Sequence, residues 1–181
     1  FKKDIIHFFL LKKLSFIKIF KIFDYIDYKR FFKDKNKHFQ KKIVKNPEKE
    51  NEMSMTDVLK KVDDIILKVD IEGDEYEILS DITNNSQKIV SLIIEFHNLN
   101  KNLSKIEKFI NENKFLSLIH IHANNFIDID TNGNPNDIEL TFVNKNKINI
   151  SNERSQKSYP IHGLDYKNLK RKKDIELKFN E

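Results

Sequence analysis

Cysteine is absent from this 181-residue sequence. Without a thiol, the chain cannot form a disulfide, a thiolate metal site or a cysteine nucleophile. A composition without cysteine fits a protein that folds in a reducing compartment. We therefore expect a cytoplasmic protein.

Glycine is scarce, with three residues in the whole sequence. The two common Gly-rich loops that cradle phosphates need several glycines within a few positions. No stretch of this sequence supplies them. The composition therefore excludes a P-loop nucleotide site and a Gly-x-Gly-x-x-Gly dinucleotide site.

Long hydrophobic runs are also missing, since none approaches the roughly 20 residues of a membrane span. Residues 1–32 instead mix large apolar residues with lysines at a loosely helical spacing. Lys12 and Lys13 interrupt the apolar stretch that a signal peptide would need. This basic amphipathic segment is interpreted either as helix covering a core or as a surface that contacts a membrane or a partner.

The overall charge is +5, and lysine far outnumbers arginine. Nucleic-acid interfaces usually combine arginine forks with interleaved aromatic residues, and this pattern is not found. We expect no nucleic-acid partner. The hydrophobic share of 39% is enough for a folded domain of ordinary size.

Two regions follow one another along the chain. Residues 1–52 comprise the basic segment and a charged loop around Pro47, and residues 53–181 form the domain that carries the candidate site. In the second region, apolar runs alternate with helical patterns. The predicted strands are Ile65–Ile71, Ile89–Phe96, Phe115–His122 and Asp137–Val143, with a possible last strand at Ile175–Phe179. One helix is predicted to begin near Met53, and two more are predicted at Gly73–Ile82 and Ser104–Asn113.

This alternation predicts an α/β fold with a mostly parallel sheet. The first two strands are nearly continuous apolar runs, which indicates burial on both faces. The last two main strands are joined without a helix, so an antiparallel last pair is expected.

Polar residues two positions apart lie at the end of three strands. The pairs are Asp70 with Glu72, Glu95 with His97, and His120 with His122. Residues two apart share one face of a strand, and ligands bind at the carboxyl ends of parallel strands. If the strands are neighbours, the three pairs meet in one patch.

Several kinds of chemistry suit such a patch. Asp70, Glu95 and His97 could hold a hard divalent ion. A histidine could act as a general base on a substrate hydroxyl. Alternatively, the acids cap and stabilise the following helix, and the histidines are structural. Weaker candidates for substrate contacts are Asn124, Asn125 and Glu139, with His162 and Asp165 in the tail closing over the site.

The stretches "LKVDIEGDEYEIL" and "LIIEFH" resemble the FkbM-type S-adenosylmethionine-dependent methyltransferases. That family shows a strand ending in Lys-x-Asp-x-Glu-Gly, followed by an acid, an aromatic residue and Leu in the next helix. The later blocks "HIHANN", "DIELTFV" and "YPIHGLDYKN" are similar to blocks of one branch of the family, in the same order. The resemblance covers about residues 53–179.

The resemblance implies an incomplete Rossmann-like class I methyltransferase fold and O-methylation of a hydroxyl, on a sugar, a glycan or a small molecule. S-adenosylmethionine would be the cofactor, a divalent metal is possible, and Asp70 would face the cofactor. The implied catalytic residues are Asp70, Glu72, Glu95, His97 and His122, with either His97 or His122 as the base. The implied acceptor contacts are His120, Asn124, Asn125 and Glu139.

The first 52 residues depart from the family pattern. They contain no loop of the Asp-x-Gly-x-x-x-Gly kind, which would lie against the methionine part of the cofactor. The sequence also begins with Phe1. We therefore expect the C-terminal portion of a methyltransferase. The alternatives are a non-catalytic Rossmann-like binding domain that has lost the cofactor loop, and a metal-dependent hydrolase.

Overall fold

The computed structural model describes residues 16–33, 36–151, 153 and 155–177. The chain divides into two compact units, Phe1–Lys41 and Lys42–Glu181. The sequence predicted a boundary between residues 52 and 53, whereas the structure divides the chain between Lys41 and Lys42. The reason is a short parallel pairing between strands β1 (Lys42–Ile43) and β2 (Glu52–Met53), which ties the charged loop to the second unit.

The first unit contains one described helix, α1 (Phe16–Phe31). The helical part of the prediction is confirmed for these residues, and residues 1–15 lie outside the described part of the chain. Lys29 and Arg30 lie in the last turn, where positive charge favours the helix dipole. No helix among the described residues is both long enough and apolar enough to cross a membrane.

The second unit is an α/β domain. Its further elements are α2 (Met55–Leu59), β3 (Ile65–Val69), α3 (Glu75–Asn84), β4 (Ile89–Phe96), α4 (Leu99–Glu112), β5 (Leu116–Ala123) and β6 (Ile138–Asn144). Helix α2 begins close to Met53, as predicted, and Ser54 caps it, because the Ser54 hydroxyl accepts a hydrogen bond from the backbone N–H of Asp57 at 3.0 Å. The predicted helix at Ser104 begins earlier, at Leu99.

The main sheet has the strand order β3-β4-β6-β5. Strands β3 and β4 are parallel, and β6 is antiparallel to both β4 and β5. Three strands thus run in one direction, and the last pair is antiparallel, as predicted. The architecture is compatible with a Rossmann-like fold.

Burial alternates along the strands, which corrects the expectation that the first two are buried on both faces. Leu92, Ile94 and Phe96 of β4 are fully buried, and they join a core with Ile78 of α3. Ile66 of β3 is 75% exposed. Among the described residues, β3 pairs with β4 alone, so it forms an edge of the sheet.

The C-terminal segment, residues 159–177, forms no strand over the described part of the predicted last strand, and residues 178 and 179 of that prediction lie outside the described residues. Within the described residues it forms a single bridge between Tyr159 and Leu177 rather than a strand from Ile175. This segment packs against residues of β5 and of the loop that follows it.

Candidate functional site

The strand register places three of the predicted residues side by side. Glu95 of β4 lies opposite Glu139 of β6, and Glu139 lies opposite His122 of β5. Directly opposed residues project from the same face of a sheet. One face therefore carries a row of two carboxylates and an imidazole near the carboxyl ends of β4 and β5.

Lys68 of β3 joins this row from the side. Its ammonium group donates a hydrogen bond to Glu139 at 3.1 Å. The hydrogen bond and charge of Glu139 raise the pKa of Lys68 above its ordinary value. The lysine therefore stays charged and balances one carboxylate of the row.

Asp70, Glu95 and His97 also come together. Each offers one possible ligand atom, and these atoms lie within 4.8 Å of one another. Asp70 is exposed, and the other two residues are half-buried. The predicted convergence of the first two strand ends is confirmed for these three residues.

A buried carboxylate holds the imidazole of this group. Glu75, in the first turn of α3, is 0% exposed. Its Oε1 accepts hydrogen bonds from the backbone N–H groups of Ile71 and Gly73 at 3.3 and 3.0 Å. The same oxygen lies 2.9 Å from Nδ1 of His97, which donates to it when protonated. Within the part of the chain that the structure describes, Oε2 of Glu75 has no hydrogen-bond partner.

The pKa of His97 reflects this contact. Burial on its own would lower the pKa, but the charge of Glu75 and its hydrogen bond, with smaller contributions from two other carboxylates, raise it above 6.5. The main chain of His97 is fixed as well, because the Tyr76 hydroxyl donates to its carbonyl oxygen at 2.7 Å. Burial and the charge of Glu75 raise the pKa of Tyr76 to about 12, so this donor stays protonated at neutral pH.

Glu72 lies beside the group rather than within it. Its backbone φ is +56°, so the chain turns away from the strand at this residue. The carboxylate is 86% exposed and lies 3.7 Å from Nε2 of His97. The strand alternation that paired Glu72 with Asp70 does not extend to this position.

The C-terminal segment contacts the histidines of β5, at the end of the row that His122 occupies. Asp165 accepts a hydrogen bond from the backbone N–H of Ile161 at 2.6 Å and lies 2.7 Å from Nε2 of His120. Nε2 of His122 is 3.8 Å from Asp174 and has no hydrogen-bond partner among the described residues. His120 is therefore bonded to the segment, whereas His122 keeps an unsatisfied ring nitrogen.

A cavity of about 210 Å³ lies between the row and this segment. Its lining is mostly polar and comprises Glu95, His122, Asn124, Glu139, Leu164, Asp165, Tyr166 and Asn168. The Asn124 amide donates a hydrogen bond to the Glu95 carboxylate at 2.6 Å and so fixes its position. Glu95 belongs both to the lining of this cavity and to the group that it forms with Asp70 and His97. The expected approach of Asp165 to the site is thus observed, while His162 lies outside this cavity.

Asn125 does not contribute to the cavity. Its side chain is 1% exposed, and its amide bonds to the backbone of Leu169 and Lys173. It anchors the C-terminal segment, which corrects the expectation of a substrate contact.

Nothing in the sequence pattern assigned a role to Glu75. An acid in the first turn of a helix is ordinarily a solvated group that interacts favourably with the helix dipole.

The chain was compared with protein-family models, curated proteins and solved structures. No family model, no curated protein and no solved structure matches this chain.

Proposed function

We propose that this chain provides the acceptor side of an FkbM-like, S-adenosylmethionine-dependent O-methyltransferase. The observation that carries the proposal is the polar cavity at the strand ends, where His122, Glu139 and Glu95 lie in one row. An open α/β sheet binds its ligands at this end. The antiparallel last strand pair agrees with the fold that the sequence resemblance implies.

The described residues fit the acceptor better than the cofactor. Their three glycines, Gly73, Gly133 and Gly163, lie in separate turns, so none belongs to a two-glycine loop. Asp70 is the one cofactor contact that we assign, since it directly follows strand β3 and its exposed carboxylate lies near Glu95, which lines the cavity. When bound, the cofactor supplies an electrophilic methyl group on a sulfonium sulfur.

The residues of the cavity would bind the acceptor hydroxyl and remove its proton. Asn124 and Glu139 offer a donor and an acceptor to orient it. His122 is the base that we favour over His97, because His122 lines the cavity together with Asn124 and Glu139 and His97 does not. His122 would accept the hydroxyl proton at a ring nitrogen, which would leave the acceptor oxygen as the nucleophile for the methyl group.

The lining also indicates the class of acceptor. Amide and carboxylate groups suit a molecule with several hydroxyls. Tyr166 is 77% exposed at the wall of the cavity and offers an aromatic ring next to these polar groups. A sugar ring, with hydroxyls at its edges and an apolar C–H face, matches both features.

Methyl transfer to a panel of monosaccharides and glycans, followed by mass spectrometry, tests the proposal. Loss of a general base lowers rates about 10²- to 10⁴-fold, so His122→Ala should lower transfer by at least about 100-fold. His162→Ala, at an exposed histidine outside the cavity, should retain the rate. Unchanged transfer by His122→Ala would refute the assigned base.

One observation favours the second candidate, a non-catalytic binding domain. The part of the chain that the structure describes has no two-glycine cofactor loop. A domain of this kind would bind the acceptor in the same cavity without binding S-adenosylmethionine. Calorimetric titration with the cofactor separates the two functions.

A further inference from the structure

The group formed by Asp70, Glu95 and His97 has the composition of a cation site. It combines two carboxylates with one imidazole, and the candidate ligand atoms lie within 4.8 Å of one another. They belong to the ends of two hydrogen-bonded parallel strands, so the backbone fixes their spacing. Asp70 is exposed, which leaves the group open to ions from solution.

Two residues outside the group hold its ligands in position. The buried carboxylate of Glu75 bonds to Nδ1 of His97, which leaves Nε2 for an ion. Metal-binding histidines usually donate their other ring nitrogen to such a partner. Asn124 bonds to Oε1 of Glu95, so that Oε2 is the available oxygen.

Neighbouring cations balance the charge of the group only in part, because Lys68 bonds directly to Glu139, the main cause of its raised pKa, although Asp70 and Glu95 are near enough to raise that pKa further. Among the described residues, neither Asp70 nor Glu95 forms an ion pair, and Lys68 pairs with Glu139 instead. Glu72 adds a third carboxylate 3.7 Å from Nε2 of His97. The carboxylate oxygens of Asp70 and Glu95 lie within 4.8 Å of one another, and two like charges this close favour a cation between them.

We propose that Asp70, Glu95 and His97 bind one divalent cation. Carboxylate oxygens favour Mg²⁺, Ca²⁺ and Mn²⁺, whereas imidazole favours later transition metals. Mn²⁺ accepts both kinds of ligand, so we expect it to bind more tightly than Mg²⁺ or Ca²⁺. Binding needs neither methyl donor nor acceptor, so its failure would leave the proposed function standing.

Calorimetric titration of the full chain with Mn²⁺ tests this site. The wild-type chain should bind one ion, and Asp70→Asn should weaken binding at least tenfold. Asp74→Asn is the matched control, because Asp74 is a nearby exposed carboxylate outside the group. Its affinity should stay within twofold of wild type.

Paramagnetic broadening gives a second readout that locates the ion. In spectra of the His side chains, Mn²⁺ should broaden the His97 signals at concentrations that leave those of His162 sharp. Equal weakening by Asp70→Asn and Asp74→Asn would show general surface attraction only, and would overturn the proposal. So would the absence of binding up to millimolar Mn²⁺.

Discussion

At the scale of single residues, the exposure of each carboxylate decides its effect on His97. Glu75 is 0% exposed and contacts Nδ1 at 2.9 Å, whereas Glu72 is 86% exposed and lies 3.7 Å from Nε2. An exposed pair contributes little to stability because water screens it. A buried carboxylate acts through a lower dielectric, so Glu75 dominates.

This contact makes a prediction about stability and pH. The pKa of His97 is raised above 6.5 in the folded state, so its stabilising contribution is fully present below pH 6.5. The contribution is lost as the pH rises through the higher folded value. Urea unfolding in the presence of a chelator should therefore show that His97→Gln costs more stability at pH 5.5 than at pH 9.

A double-mutant comparison isolates the cause. In the Glu75→Gln background the main charged partner is gone, and the effect of His97→Gln should vary much less with pH. A cost of His97→Gln that is constant or increases with pH would contradict the assigned direction of the pKa shift.

At the scale of elements, the order of strands decides which residues meet. The apolar runs predicted β4 with its observed limits, and β5 and β6 to within a residue at each end. Sequence spacing could not show that β6 lies between β4 and β5, because neighbour relations depend on tertiary packing. That insertion places Glu139 between Glu95 and His122 and so builds the row.

The same limit explains the two asparagines after β5. They are adjacent in sequence, yet Asn124 bonds to Glu95 beside the cavity, and Asn125 turns to the buried side and bonds to the C-terminal segment. Periodicity does not extend into an irregular loop, so residue type alone gave both the same expected role.

The hydrogen bonds of Asn125 lead to a prediction about the stability of the C-terminal segment. Its amide makes three hydrogen bonds to backbone groups of Leu169 and Lys173, at 2.8, 3.1 and 3.2 Å. Asn125→Ala would leave these groups unsatisfied and loosen the segment. Hydrogen exchange should accelerate at least tenfold in residues 159–177 and little in β4. Asn132→Ala, in the exposed following loop, is the control, and equal exchange in both variants would contradict this anchoring role.

At the scale of the whole molecule, the main sheet of the second unit ends at β3 on one side and at β5 on the other. Among the described residues, β3 has a neighbour on one side only, and its Ile66 is 75% exposed. An unpaired edge with an exposed apolar residue is a place where another strand can pair.

The proposed methyltransferase function depends most directly on binding of S-adenosylmethionine. Calorimetric titration of the chain with S-adenosylmethionine should give saturable binding of one molecule in the micromolar range. Asp70→Ala should weaken it at least tenfold, and Asp74→Ala, at the nearby carboxylate outside the site, should leave it within twofold. A titration with no binding up to millimolar cofactor would contradict the methyltransferase assignment for this chain and would support the binding-domain alternative.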